Sequence, residues 1–334
     1  MSIHSNTVHK FIAHASFLFA ALAGSQSLFA ADGAASVAFP DSATVHGTTS
    51  AFVIDPENSS IVYAATSRGL FKSTDGGANW SQTTLTAGLN ALAVDPANRS
   101  IMYAATSGKG VYKSLDGGAT WMESGLLNAE VKTVVVSGST VLAGVFDGGL
   151  QKSTDSGAKW SDAGIGEKYV NALAADPSKP SILYAAVGAG LMKSVDGGTS
   201  WTKTNLPATF ARNIAIQPND PNTLYVGVAG GGIYKSTDAG MSWKLMNNPQ
   251  QQAYVVEDLI VTDSIVYAAT GIGVLKSTDG GVTWTPLNNG LTGKSIRSID
   301  VDPANHSVLY VGTFGAGAFK STNAGEKWEA VGSL

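Results

Sequence analysis

The chain contains no cysteine among its 334 residues, which excludes disulfide bonds, thiolate zinc sites and cysteine nucleophiles in any compartment. Histidine is nearly as scarce. His4, His9 and His14 fall within the first thirty residues, leaving His46 and His306, and neither sits in a metal-ligand spacing, so a zinc site or a histidine-based triad would need unusual partners. Both read as loop histidines, and the sequence implies no metal and no cofactor. Charged residues make up only 14% of the chain, with four arginines and a formal net charge of -4. That balance argues against nucleic acid as a partner. The apolar run from Phe11 to Gly24 is too short to span a bilayer comfortably. It follows Lys10 and precedes the small-residue stretch SLFAADGA, so residues 1–30 are expected to be a secretory signal cleaved near Ala30 or Ala31. Its removal takes the net charge from -4 to -5, because the segment carries Lys10 and no carboxylate. The mature chain is then secreted or periplasmic, with no stable membrane span.

What the chain has in abundance is glycine, 39 residues, and one phrase repeated seven times. KSTDGGANW at Lys72 returns as KSLDGGATW at Lys113, KSTDSGAKW at Lys152, KSVDGGTSW at Lys193, KSTDAGMSW at Lys235, KSTDGGVTW at Lys276 and KSTNAGEKW at Lys320. All seven tryptophans are used this way: Trp80, Trp121, Trp160, Trp201, Trp243, Trp284 and Trp328. Their spacing of about forty residues is the period of a four-stranded propeller blade. Each period holds an apolar run such as ALAV at Ala91 (strand A), a run such as IMYAAT at Ile101 (strand B), a short GVYKS-like run (strand C), the box, and a short segment opening on the tryptophan (strand D). The expected fold is an all-β seven-bladed propeller over residues 31–334, with a lead-in at 31–49 and blades from about residue 50. Within that lead-in, Ser36 to Pro40 is expected to pair across the junction of the first and last blades, because an open sheet edge there would invite aggregation.

In the pattern S-x-D-x-G-x-x-W the aspartate can accept backbone N–H groups inside the turn, the serine hydroxyl adds another bond, and the glycine supplies a positive φ. Glycine recurs at Gly77, Gly118, Gly157, Gly198, Gly240, Gly281 and Gly325, whereas the preceding place accepts Ser156, Ala239 and Ala324. One glycine is therefore demanded by geometry. The boxes resemble the Asp-box, or bacterial neuraminidase repeat, along essentially the whole mature chain. That family includes sialidases, xyloglucan-cleaving glycosidases, the sortilin ectodomain and photosystem II assembly propellers. The resemblance implies that Asp75, Asp116, Asp155, Asp196, Asp238, Asp279 and Asn323 are structural turn residues away from the ligand face.

Function is then expected on the opposite, upper face, where D–A and B–C connections meet. The residue just before strand A is Ser50, Asn90, Lys132, Asn171, Arg212, Glu257 or Arg297 in successive blades. The fold does not require such variation, which suits a binding rim. Asp258 and Asp300 take small-residue places on strand A and could face the channel. Tyr169, Phe210 and Tyr254 lie in adjacent D–A connections, with Phe146 and Phe314 at matching places after strand B. Lys132, Tyr169, Phe210, Arg212, Tyr254, Glu257, Asp258, Arg297 and Asp300 are the candidate binding residues. The ring Lys72, Lys113, Lys152, Lys193, Lys235, Lys276 and Lys320 reads as stems lying along hairpins with solvated heads. Two functions fit: a non-catalytic scaffold that binds a protein or glycan, and a glycoside hydrolase drawing on Glu130, Glu257, Asp258 and Asp300. A sialidase is disfavoured by the missing R-I-P motif, and a xyloglucan-cleaving enzyme by the presence of one propeller where that family uses two.

Overall fold

Each forty-residue period folds on itself before it meets its neighbours, because its four β-prone runs are separated by connections short enough to form an antiparallel meander. In the computed structural model, which describes residues 47–230, 232–246, 255–263 and 265–332, the result is seven four-stranded antiparallel sheets. The strands are numbered β1 to β28 in chain order, four to a blade. The innermost are β1 (Thr49–Ile54), β5 (Leu89–Asp95), β9 (Val131–Ser137), β13 (Val170–Ala175), β17 (Ala211–Ile216), β21 (Val256–Val261) and β25 (Ile296–Val301). Each touches the next, and β25 touches β1, so the ring is closed. The protein is a seven-bladed β-propeller.

Three expectations fall on residues outside the described ones: the signal over 1–30, the lead-in with Ser36 to Pro40, and the rim residue Tyr254. His46 also falls there. Blade seven nonetheless forms its sheet from its own four strands, β25 to β28 (Glu329–Ala330). Its junction with blade one is made by side chains: Tyr310 packs on Phe52 at 5.6 Å between ring centroids, and the Ser298 hydroxyl donates to the Thr49 carbonyl at 3.1 Å. Among the described residues no helix is long and apolar enough to cross a membrane.

The box has a second role that its own turn does not reveal. Inside the turn, the Ser73 hydroxyl donates to Asp75 and accepts the Gly77 N–H at 2.8 Å, while Asp75 accepts the Asn79 N–H. Both central residues are left-handed, Gly76 at φ 67° and Gly77 at φ 86°. The first aims its carbonyl at the preceding blade, where the strand-B tyrosine and the lysine before the box converge on it. Tyr310 and Lys320 of blade seven donate to the Gly76 carbonyl at 2.8 and 2.7 Å. Tyr103 and Lys113 of blade two do the same to Ser156, and Tyr225 and Lys235 of blade five to Gly280. The lysine ammonium also lies over its own blade's tyrosine ring, at 5.3 Å in blade seven. Five of the lysines, Lys113, Lys193, Lys235, Lys276 and Lys320, thus latch onto the next blade's box rather than standing as solvated heads.

The second glycine is fixed by the same contact. A Cβ on Gly77 would come within 3.1 Å of the Tyr310 ring, and one on Gly118 within 3.2 Å of Tyr63. The residue before it needs only a left-handed φ near 57–59°, which Ser156, Ala239 and Ala324 tolerate. So the box geometry demands one glycine for steric reasons and accepts strain at its neighbour. Six of the seven tryptophans are half-buried over the hairpin, and Trp328 is buried.

Blade six departs from the pattern. Lys276 reaches the Ala324 carbonyl at 3.4 Å, but the buried Tyr267 hydroxyl has no hydrogen-bond partner. Tyr310→Phe should therefore destabilise the protein by about 1 kcal/mol, whereas Tyr267→Phe should be neutral or stabilising, since it removes a buried group that gains nothing. Equal losses from the two changes in urea denaturation would refute the latch.

Candidate functional site

Strand A of every blade carries a β-bulge at the upper end. The register skips one residue in each: Ser50, Asn90, Lys132, Asn171, Arg212, Glu257 and Arg297. A bulged residue is left out of the ladder and its side chain is re-aimed. This places one such side chain per blade around the mouth.

Two of the seven serve the fold. Asn90 donates to the Val131 carbonyl and Asn171 to the Ala211 carbonyl, both at 2.8 Å, stitching each blade to the next. The charged members gather into two clusters. In the first, the Glu257 carboxylate, with only 9% of its side chain exposed, is shared by Arg212 at 2.8 Å and Arg297 at 3.6 Å. Three consecutive blades thus contribute one residue each. In the second, Lys132 pairs with Glu130 and lies 5.3 Å from the Phe146 ring centre, and Phe146 in turn packs on Tyr169 at 5.1 Å. Tyr169 therefore belongs with Lys132 and Phe146 rather than with Arg212. Phe210 is 46% exposed, two residues before Arg212, at φ 54°. Its N–H donates to Gly188 and its carbonyl accepts from Ala229.

A second cation–aromatic pair lies in blade seven, where the Arg297 guanidinium sits 5.8 Å from the Phe314 ring centre. Blades three and seven share this pairing because each carries a cation at the bulge and phenylalanine after the second strand. Comparing the repeats with one another carries that signal in the sequence. Sequence reasoning also missed how charge is distributed. Among the described residues of the upper connections and bulges, seven cations (Arg68, Lys109, Lys132, Lys168, Arg212, Lys294 and Arg297) face four carboxylates (Glu130, Asp147, Glu167 and Glu257). An overall balance of -4 conceals this cationic face.

Beneath the rim, Asp258 accepts the N–H of Leu259 at 2.9 Å and that of Ile299, in the next blade, at 3.1 Å. Asp300 accepts the Val301 N–H at 2.8 Å. Both residues keep some solvent contact, yet the protein packed around the axis makes desolvation the largest influence on each. Asp258 is pushed up to about 6, with the Ile299 and Leu259 N–H groups and Arg297 opposing the shift. Asp300 is pushed up to about 7, and the nearby Asp258 and Asp302 reinforce the shift. The box aspartates move the other way. Hydrogen bonds from the residue four places on hold Asp75, Asp116, Asp238 and Asp279 down to about 2. Among the described residues no group of three or more His, Asp or Glu could hold a metal ion.

No protein-family profile matches the chain, and no curated protein sequence matches it. Solved structures resemble it in fold. A glycoside hydrolase family 74 xyloglucanase from Xanthomonas campestris superposes with a TM-score of 0.73 at 18% identity, covering 86% of this chain and 55% of that one. YCF48 bound to D1 peptide gives 0.66 at 20% identity, covering 84% and 94%. The extracellular domain of a putative hybrid two-component system from B. thetaiotaomicron gives 0.67 at 14%, covering 85% and 39%. The chain spans little more than half of the xyloglucanase and most of YCF48.

Opposite pKa shifts give stability two limbs. The box aspartates, depressed on folding, stabilise fully above the ordinary carboxylate range near 4, and that contribution is lost as pH falls toward about 2. Asp258 and Asp300, raised on folding, favour the folded state most below about 4, and that advantage is lost as pH rises through about 6 and 7. The melting temperature should peak between about pH 4 and 6. Asp300→Asn should flatten the fall toward neutrality and leave the acid limb unchanged; a neutral limb unaltered in that variant would contradict the assignment.

Proposed function

We propose that the protein is an exported, non-catalytic propeller that binds a protein or glycan ligand on its upper face, through Lys132, Tyr169, Phe210, Arg212, Tyr254, Glu257 and Arg297. The observation that carries this reading is the bulge ring. One re-aimed side chain per blade is a feature of the scaffold, but a carboxylate between two arginines in three adjacent blades, with a lysine and paired aromatics at blades three and four, is not needed to close a propeller. The cationic face around it favours an anionic ligand group. Support also comes from a propeller of matching length, YCF48, whose structure holds a D1 peptide.

The hydrolase reading rests on Asp300, whose raised pKa of about 7 would suit a general acid. Against it, Glu130 and Glu257 are ion-paired, and both oxygens of Asp258 accept backbone N–H groups. Recovery of the partner from the exported fraction, together with a glycan array and a xyloglucan hydrolysis assay, separates these functions. With the ligand in hand, Arg212→Ala should fold normally and weaken binding by about 2 kcal/mol. Lys179→Glu, on the opposite face, should not. The reverse ranking would move the site to the box face.

A further inference from the structure

The candidate rim and the channel carboxylates form one electrostatic unit. Arg212 and Arg297 flank Glu257. Asp258, the next residue along β21, binds the backbone of β25 two residues past Arg297, and Asp300 lies one residue further on. No other charged side chain faces this unit from the strands packed on it. The second strands of blades five to seven, Leu224–Val228, Val266–Thr270 and Leu309–Thr313, carry none, and neither does β1 on the far side. Asp302, just past the lower end of β25, reinforces the upward shift of Asp300.

With all three carboxylates ionised, the five groups carry one net negative charge, which opposes an anionic ligand. With Asp258 and Asp300 protonated they carry one net positive charge. The repeat shows that this place on the inner strand accepts a neutral side chain. At the place of Asp258, the preceding blade has Asn213, which donates to the Val256 carbonyl at 2.7 Å, and the following blade has Ser298, which donates to Thr49 at 3.1 Å. Each donor reaches the carbonyl just before the next blade's bulge. Between these two neutral donors Asp258 accepts the N–H groups of Leu259 and Ile299, and it could donate as they do only when it carries a proton.

We propose that Asp258 and Asp300 make the upper-face site proton-gated: their protonation reverses the net sign of the unit they form with Arg212, Glu257 and Arg297 and admits an acidic polypeptide segment, which their ionisation repels. This rests on the upper-face reading and adds to it the chemistry of the ligand and the condition for its capture. Both carboxyls lose their protons between mildly acidic and mildly alkaline pH, where a ligand aspartate stays ionised throughout. Capture should accordingly be tight on the acid side and weak on the alkaline side.

The test uses a fluorescein-labelled hexa-aspartate peptide at fixed ionic strength, titrated with the full protein at about pH 5.5 and about pH 8, values on either side of the two carboxyls. The parent should bind at least about tenfold more tightly at the lower pH. The Asp258→Asn, Asp300→Asn double variant should bind at both pH values as the parent does at the lower one. Arg212→Ala should bind weakly at both. Equal parent affinity at the two pH values, or a double variant that keeps the parent's dependence, overturns the gate. If Arg212→Ala still binds more weakly than the parent in that case, the upper-face reading survives alone. If Arg212→Ala matches the parent, or the parent binds at neither pH, the proton-gated capture of an acidic segment falls, and the upper-face reading is decided by Arg212→Ala with the recovered ligand. Should the double variant fail to fold, carboxyl titration of the parent by carbon NMR decides, and midpoints for both groups below about pH 5 would overturn the proposal.

Discussion

The propeller depends on one carbonyl per blade, that of the left-handed residue in the box. At four junctions it receives both the tyrosine hydroxyl and the lysine ammonium of the preceding blade, as Gly76 does from Tyr310 and Lys320, while at Gly117 the donor is Tyr63 and at Ala324 it is Lys276. A hydrogen bond of this kind contributes about 1 kcal/mol, and burying the aromatic ring beneath it about 2–3 kcal/mol. Packing therefore holds the blades together, while the polar pair sets their rotation. The exceptions follow the same logic. Blade three has Leu142 in place of the tyrosine, and its Lys152 turns instead to the Thr199 hydroxyl at 3.0 Å.

Committing the box face to closure frees the opposite face. The bulges at the upper ends of the inner strands are equally regular, but they hold side chains rather than backbone groups in common, and the scaffold needs only some of them. Asn90 and Asn171 reach across to the next blade. Where blades five to seven replace this amide with charge, the stitch passes one residue down, to Asn213 and Ser298. The stitching function can thus migrate along the strand, which is how a pseudo-symmetric ring tolerates Arg212, Glu257 and Arg297 at its mouth.

The sequence made the architecture legible because the period, the box and the tyrosines repeat, and a repeat reports whatever packing is common to all blades. It could show neither the bulge nor the latch. The seven residues before strand A stood out for their variety, yet a bulge is a register event, visible only once Thr49 is found opposite Thr66 and Ala51 opposite Ala65 with Ser50 between them. Likewise the lysines looked like hairpin stems, because their acceptor lies some forty residues downstream in another blade. Tyr169 was grouped with Phe210 by its position in the chain, whereas its ring partner Phe146 belongs to the blade before.

Charge was the least legible property, and the reason is arithmetic as well as spatial. Antiparallel connections alternate between two faces, so a count along the chain averages a cationic rim against an acidic underside. Burial then alters the count itself. Asp258 and Asp300 contribute two full negative charges to any formal total, but at the axis desolvation raises Asp258 to about 6 and Asp300 to about 7, so that Asp300 is close to half-titration near neutrality. The charge that a ligand meets at the mouth is therefore set by depth below the rim as much as by composition. Small-residue places on an inner strand, when filled by carboxylates, thus put a pH-dependent charge beneath the rim.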